Sequence, residues 1–202
     1  MELIVISNPG AVTDEAHIVN RLFEAGLTRF HLRKPDWKID QFIELLMGID
    51  QTFHSCIALH QQHYLTSTFG IKRLHYTEHQ RMKTDAEKLK YQYQKGYILS
   101  TSIHSVAHIP ALQYFEYAFF SPVFSSISKP GYHSKLANGF RLDKKAGQPK
   151  IIALGGVDEF NLNSVKNMNF DGAALLGAIW NDPEKAVANF IKIKTVADQL
   201  NA

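Results

Sequence analysis

Seven stretches of this chain carry residue types that can hold an anion, bind a metal or move a proton. In His31-Leu32-Arg33-Lys34-Pro35, the two-residue period of an extended chain puts His31 and Arg33 on one face, opposite Phe30 and Leu32. The apolar pair suits packing against helices. The polar pair is therefore expected to point into the mouth of the fold, where an arginine needs a carboxylate or a ligand phosphate as its partner. Ser102 and His104 repeat the arrangement opposite Ile103. His104 fits either a fixed hydrogen-bonding role or proton transfer, since imidazole titrates near neutrality. From Ser121 to Gly139 runs a hydroxyl-rich segment with Ser126, Ser128 and Lys129, long enough for a lid over a ligand or for a tolerated insertion. Gly155-Gly156 and Leu176-Gly177-Ala178 would let the backbone approach a ligand closely, and the free amides of a helix beginning there attract phosphate. Finally, His60, His63, His75 and His79 gather on two neighbouring segments and could ligate zinc or another imidazole-binding metal. With 10 histidines in the chain some crowding is expected without any metal, and His63 and His79 would then be solvated.

The elements that must position these residues are eight apolar, β-rich runs: Leu3–Ile6, Arg29–Arg33, Cys56–His60, Arg73–Tyr76, Tyr97–Ser102, Tyr117–Phe120, Lys150–Leu154 and Gly172–Leu176. Several are apolar without alternation, as strands buried on both faces are. Helical spacing appears between them over residues 14–23, 40–49, 105–114, 161–168 and 183–200, and between His60 and Arg73 there is room for about two turns. Eight strand–helix alternations without a linker predict an α/β fold, a (β/α)8 TIM barrel forming one domain over residues 1–202. The main alternative is a doubly wound open sheet. In the barrel, chemistry belongs to the C-terminal ends of the strands, and the seven stretches above all fall at such ends.

Composition narrows the classes further. The 202 residues are 45% hydrophobic and 20% charged, which excludes a disordered or low-complexity chain. One cysteine, Cys56, excludes an internal disulfide and fits a reducing compartment. A formal charge of +3 with scattered basic residues gives no ground for a nucleic-acid partner. No run approaches the ~20 apolar residues of a membrane span, and the first residues lack the basic region of a signal peptide. A cytoplasmic protein without a membrane partner is expected, and a homo-oligomer is left open.

In order along the chain, His31-Leu32-Arg33, Ser102 with His104, Pro122-Val123-Phe124 followed by Ser126, Ser128 and Lys129, Ala153-Leu154-Gly155-Gly156-Val157 and Leu176-Gly177-Ala178-Ile179 resemble the thiamine-phosphate synthase/TenI family. The family patterns are roughly Q-L-R-x-K, S-x-H, G-P-V-F-x-T-x-T-K, A-I-G-G-I and V-S-A-I, and the likeness runs over nearly the whole chain. It implies the same barrel. It also implies thiamine biosynthesis, by a transferase that couples hydroxymethylpyrimidine diphosphate with hydroxyethylthiazole phosphate and releases pyrophosphate. By match, Arg33 and Lys129 would hold pyrophosphate, helped by His31, Lys34, Ser102, Ser126 and Ser128. The turns at Gly155, Gly156, Leu176 and Gly177 would hold the thiazole phosphate.

Three departures accompany the resemblance. Synthases carry Asn-Asp after the third strand and a second Asp after the fourth, the ligands of Mg2+; here His60-Gln61 and Glu78-His79-Gln80 stand in their places. The second-strand lysine, Lys34, comes one position early. The TenI branch also lacks those aspartates and isomerises a thiazole phosphate carboxylate without a metal, which makes a tautomerase the alternative activity. Its catalytic histidine, however, precedes the Val-Phe of the sixth-strand loop, where this chain has Pro122. His31 or His104 would then be the acid/base, and Mg2+ would be required only in the synthase reading. A thiazole-phosphate-binding regulatory protein without turnover is the third reading.

Overall fold

A computed structural model describes residues 1–125, 136–137 and 139–200 of the chain. In order these form β1 (Glu2–Ile6), α1 (Glu15–Glu24), β2 (Phe30–Leu32), α2 (Ile39–Gly48), β3 (Ile57–Leu59), α3 (Thr66–Phe69), β4 (Arg73–Tyr76) and α4 (Glu78–Lys83). They continue with α5 (Ala86–Gln94), β5 (Ile98–Ile103), β6 (Phe115–Phe120), β7 (Lys150–Leu154), α6 (Leu162–Asn167), β8 (Gly172–Leu175), α7 (Gly177–Trp180) and α8 (Ala186–Gln199). All eight expected strands form, and each pairs in parallel with its neighbour in sequence. Pairing of β1 with β8, Leu3 opposite Ala173 and Val5 opposite Leu175, closes the barrel and excludes the open sheet.

Two apolar layers follow from the alternation of strand side chains. Outward residues such as Val5, Phe30, Leu32, Leu59 and Leu74 pack against Leu22 and Phe23 of α1, Phe42 and Leu46 of α2 and Phe190 and Ile193 of α8. Each such buried side chain stabilises the fold by about 1.5–3 kcal/mol. Inward residues Ile4, Ile6, Tyr117, Phe119, Ile152 and Ala174 fill the barrel. Beside them the interior is polar: His31, His75 and Ser100 are fully or almost fully buried. At the N-terminal end of the barrel Arg29 pairs with Glu2 at 2.9 Å and Glu116 at 3.2 Å, and Arg73 reaches Glu116 at 3.5 Å.

The segment 105–114, whose spacing predicts a helix, forms instead a 3-10 turn over Val106–Ala111. Pro110 lacks the N–H that a continuing α-helix needs. Helices α4 and α5 were not singled out by spacing, because α5 buries only Leu89 and α4 buries nothing. A capping box between Thr77 and Gln80 starts α4, and the Asp85 carboxylate accepts the Glu87 amide to start α5. Among the described residues, no helix is long and apolar enough to cross a membrane.

Candidate functional site

At the end of β2, Arg33 is half-buried, and its backbone is pinned by Ser7, whose hydroxyl accepts the Arg33 amide at 2.8 Å. Among the described residues its guanidinium has no side-chain partner, so the internal ion pair open to it from sequence does not form. An arginine at a strand end without a carboxylate is a ready anion site. Lys34, grouped with Arg33 by the sequence reading, goes elsewhere. Its side chain is completely buried, forms an ion pair with Glu15 of α1, donates to the Gly10 carbonyl at 2.7 Å and sits 4.3 Å over the Trp37 ring. Burial pushes the Lys34 ammonium down and the Glu15 carboxyl up, each partly offset by the other. Lys34 therefore ties α1 to β2 and does not present a charge to the mouth.

His31, which the two-residue period groups with Arg33, is not at the mouth. It is opposite Ile6 on β1 and Ala58 on β3, inside the barrel, with no solvent exposure. Its Nδ1 is 2.9 Å from Nε2 of His60, and its Nε2 is 2.7 Å from the Tyr117 hydroxyl. His75 lies on the next strand, its Nδ1 3.0 Å from the Ser100 hydroxyl and its Nε2 3.0 Å from that of Ser102. The rings of His60 and His75 stack at 4.0 Å. Burial holds His31 and His60 well below the ordinary imidazole range and His75 at about 3, so all three are neutral at pH 7. Burial likewise pushes the Tyr117 phenol up to about 12. The expectation that His31 could serve as an acid/base in the mouth is thereby corrected: both of its nitrogens are engaged inside a sealed core.

His63 and His79 stand apart from this cluster. His63 Nε2 lies within hydrogen-bond distance of the Leu59 and His75 carbonyls, and His79 is exposed. His60 and His75, suggested by sequence as metal ligands, are thus brought together, but with His31 in place of the other two.

His104 lies beyond β5 and is exposed. Its Nδ1 donates to the Ser121 carbonyl at 2.7 Å, which leaves Nε2 as the lone-pair nitrogen, 3.9 Å from the Glu78 carboxylate. Glu78, which sequence reasoning passed over, also takes His108 at 2.7 Å and Arg81 at 3.5 Å. Ser102 faces inward and half-buried, against His75 and not beside His104. Ser126, Ser128 and Lys129 lie outside the described residues.

The glycine turns divide. Gly155 and Gly156 have φ of +100° and +65°, and a Cβ on Gly156 would come 2.7 Å from the Ser125 carbonyl oxygen and 2.9 Å from Phe124 Cβ. Val123 and Phe124 donate to the Leu154 and Gly155 carbonyls at 3.0 Å. This turn is therefore glycine because the chain leaving β6 crosses it. The helix that follows, α6, starts six residues later, so it does not open at the turn as the sequence reading expects. Leu176-Gly177 does open a helix directly, α7, which the buried Trp180 ties to β1 through Nε1 and the Ile6 carbonyl at 2.7 Å. Ile179 and Trp180 turn their amides back to the Leu176 carbonyl.

The thiamine monophosphate synthase family model matches residues 3–179. The chain belongs to that family. Solved structures share the fold. A thiamine phosphate pyrophosphorylase from Bacteroides thetaiotaomicron superposes with a TM-score of 0.73 at 26% identity, covering 98% of each chain. One from Pyrococcus furiosus superposes at 0.76 with 12% identity, over 100% of this chain and 97% of that one. A 3-hexulose-6-phosphate synthase from Salmonella typhimurium shares the fold at a TM-score of 0.64 and 12% identity, over 98% of this chain and 99% of that one. No curated protein matches the sequence.

Members of the synthase family use Mg2+, and the donor set here does not suit it. The ends of β3 and β4 carry His60, Gln61, Thr77 and Glu78; the single carboxylate, that of Glu78, is already engaged by His108 and Arg81. Mg2+ selects carboxylate and water oxygens, whereas the donors facing one another here are imidazoles.

Proposed function

We propose that this family member binds phosphorylated small molecules at the C-terminal mouth of its barrel and acts as a thiamine-phosphate synthase-type transferase. In that reaction the bond between the pyrimidine methylene carbon and the pyrophosphate oxygen breaks. The electron pair leaves with pyrophosphate. The thiazole nitrogen lone pair then forms the new carbon–nitrogen bond, and no proton has to move. The protein's task is to position two substrates and to stabilise negative charge on the departing group, with side-chain cations in this reading supplying the countercharge that the donor set at β3 and β4 does not offer through Mg2+. The observation that carries this reading is Arg33, a guanidinium at the end of β2 without a carboxylate partner among the described residues. A bidentate arginine–phosphate contact is among the stronger charge-assisted hydrogen bonds, about 1.5–3 kcal/mol each. Lys129 is proposed as the second cation on pyrophosphate, and Ser126 and Ser128 as hydroxyl donors. The amides opening α7 at Gly177, carried by the Leu176–Gly177 turn, are proposed to receive the thiazole phosphate. Gly155 and Gly156 shape the neighbouring rim by allowing the β6 segment to cross.

A second reading, isomerisation of a thiazole phosphate carboxylate, is favoured by His104, whose exposed ring keeps Nε2 free as a base beside Glu78. It also needs no Mg2+, in keeping with the donor set at β3 and β4. Incubating purified protein with hydroxymethylpyrimidine diphosphate and hydroxyethylthiazole phosphate, with and without Mg2+, and separately with the thiazole phosphate carboxylate alone, separates the two. Release of pyrophosphate in step with thiamine phosphate supports the transferase. Conversion of the thiazole carboxylate alone, abolished by His104→Ala, supports the isomerase. Phosphate binding without either reaction would overturn both and leave a binding protein.

A further inference from the structure

We infer that His31, His60 and His75 form a binding site for a borderline divalent metal ion of the zinc class inside the barrel, independent of which reaction the mouth carries out. His31 stands within β2, His75 within β4 and His60 just past β3 between them, and one nitrogen from each lies within 4.8 Å of the others. His31 Nδ1 and His60 Nε2 are 2.9 Å apart. Two imidazole nitrogens bound to one tetrahedral ion at 2.0–2.1 Å would be roughly 3.3–3.4 Å apart, so this pair needs to open only slightly to admit it.

The surroundings suit the same ion. The Tyr117 hydroxyl oxygen can accept a hydrogen bond from His31 Nε2–H at 2.7 Å, leaving the Nδ1 lone pair for a metal. Ser100 and Ser102 flank the two nitrogens of His75 at 3.0 Å, so one can accept its N–H while a turn of the other hydroxyl exposes the second lone pair. Such hydrogen bonds behind a ligand fix its tautomer and orientation. Burial keeps the three rings neutral, the state in which imidazole ligates. Of the three residues His60 lies nearest the end of its strand, just past β3, and is 4% exposed against 0% for the others. The nearest cations below, Arg29 and Arg73, are paired with Glu2 and Glu116. Arg33 lies on the mouth side, and its charge bears on His60 and His75. Three neutral ligands leave the ion its full charge, so an open fourth position would favour hydroxide or another anion.

The test is metal binding by full-length protein stripped with chelator, followed by titration with Zn2+ and with Co2+ as a spectroscopic probe. One equivalent should bind, the visible bands should be those of a tetrahedral Co2+ centre, and X-ray absorption on the Zn2+ form should show three imidazoles. His75→Asn and His60→Asn should weaken binding at least about 100-fold, more than the 10–100-fold typical of losing a residue behind a ligand. His79→Asn, an exposed histidine outside the cluster, should leave it unchanged. Should the cluster variants not fold, X-ray absorption on the unaltered protein decides alone. Absence of saturable binding, fewer than three imidazoles around the ion, or loss of binding in His79→Asn would overturn the site.

Discussion

Lowering the pH from 7 to 5 should destabilise this barrel through its interior histidines, and for His75 the size can be worked out. Burial holds the folded imidazole at about 3, against 6.5 for an ordinary ring. Between those values the unfolded chain takes up a proton that the folded barrel does not. Stability is therefore intact above about 6.5 and falls as the pH drops below it. From pH 7 to pH 5 the linkage relation gives a loss of about 2 kcal/mol for His75 alone. His31 and His60, also held low by burial, act in the same direction. In a protein of this size about 2 kcal/mol corresponds to roughly 4–8 °C in Tm. The assay is thermal or urea unfolding of metal-free protein at both pH values, repeated on His75→Asn. The pH difference should be larger in the unaltered protein by about 2 kcal/mol. Equal pH dependence in the two proteins would refute the assignment of His75 as a neutral, buried ring.

Other perturbations test other parts of the molecule. Arg33→Ala, which removes no described side-chain contact, should leave Tm unchanged and weaken pyrophosphate binding roughly 10- to 150-fold by calorimetry, the loss of a charge-assisted contact. Glu15→Gln should destabilise the fold by about 3–5 kcal/mol in urea titrations, because it leaves the Lys34 ammonium buried beside a neutral side chain. The double variant Glu15→Leu/Lys34→Met should recover most of that loss. Gly156→Ala should cost more than about 1 kcal/mol, since φ is +65° and the added methyl would meet the Ser125 carbonyl oxygen at 2.7 Å. Unchanged denaturation midpoints in these variants would contradict the contacts described.

The strands were readable because stretches such as Leu3–Ile6 and Ile151–Ala153 are buried on both sides of the sheet and so are apolar throughout. The helices of the β4–β5 connection were not, because they rest on caps at Thr77 and Asp85 more than on an apolar stripe. For the site, the two-residue period groups His31 with Arg33, yet it says nothing of depth along the barrel axis. One residue pair of separation decides whether a side chain lies in the core with Tyr117 or at the rim. The engagement of Lys34 was invisible for another reason: its partner Glu15 is 19 residues away, and the sequence carries no sign that α1 packs there. Tyr117 and Ser100 were hidden inside β-type runs, although their inward parity, shared with Phe119 and Ser102, could have marked them. The His60–His75 pairing was anticipated; the third ring was not, because His31 was read with Arg33.

The most direct measurement is a crystal structure of the protein soaked with hydroxyethylthiazole phosphate and inorganic pyrophosphate at concentrations that saturate binding in solution. Phosphate density against the Gly177 amide and pyrophosphate density on the Arg33 guanidinium are the predicted results. Ligand bound elsewhere on the molecule, or a mouth closed by packed side chains with Arg33 turned away from it, would contradict the account.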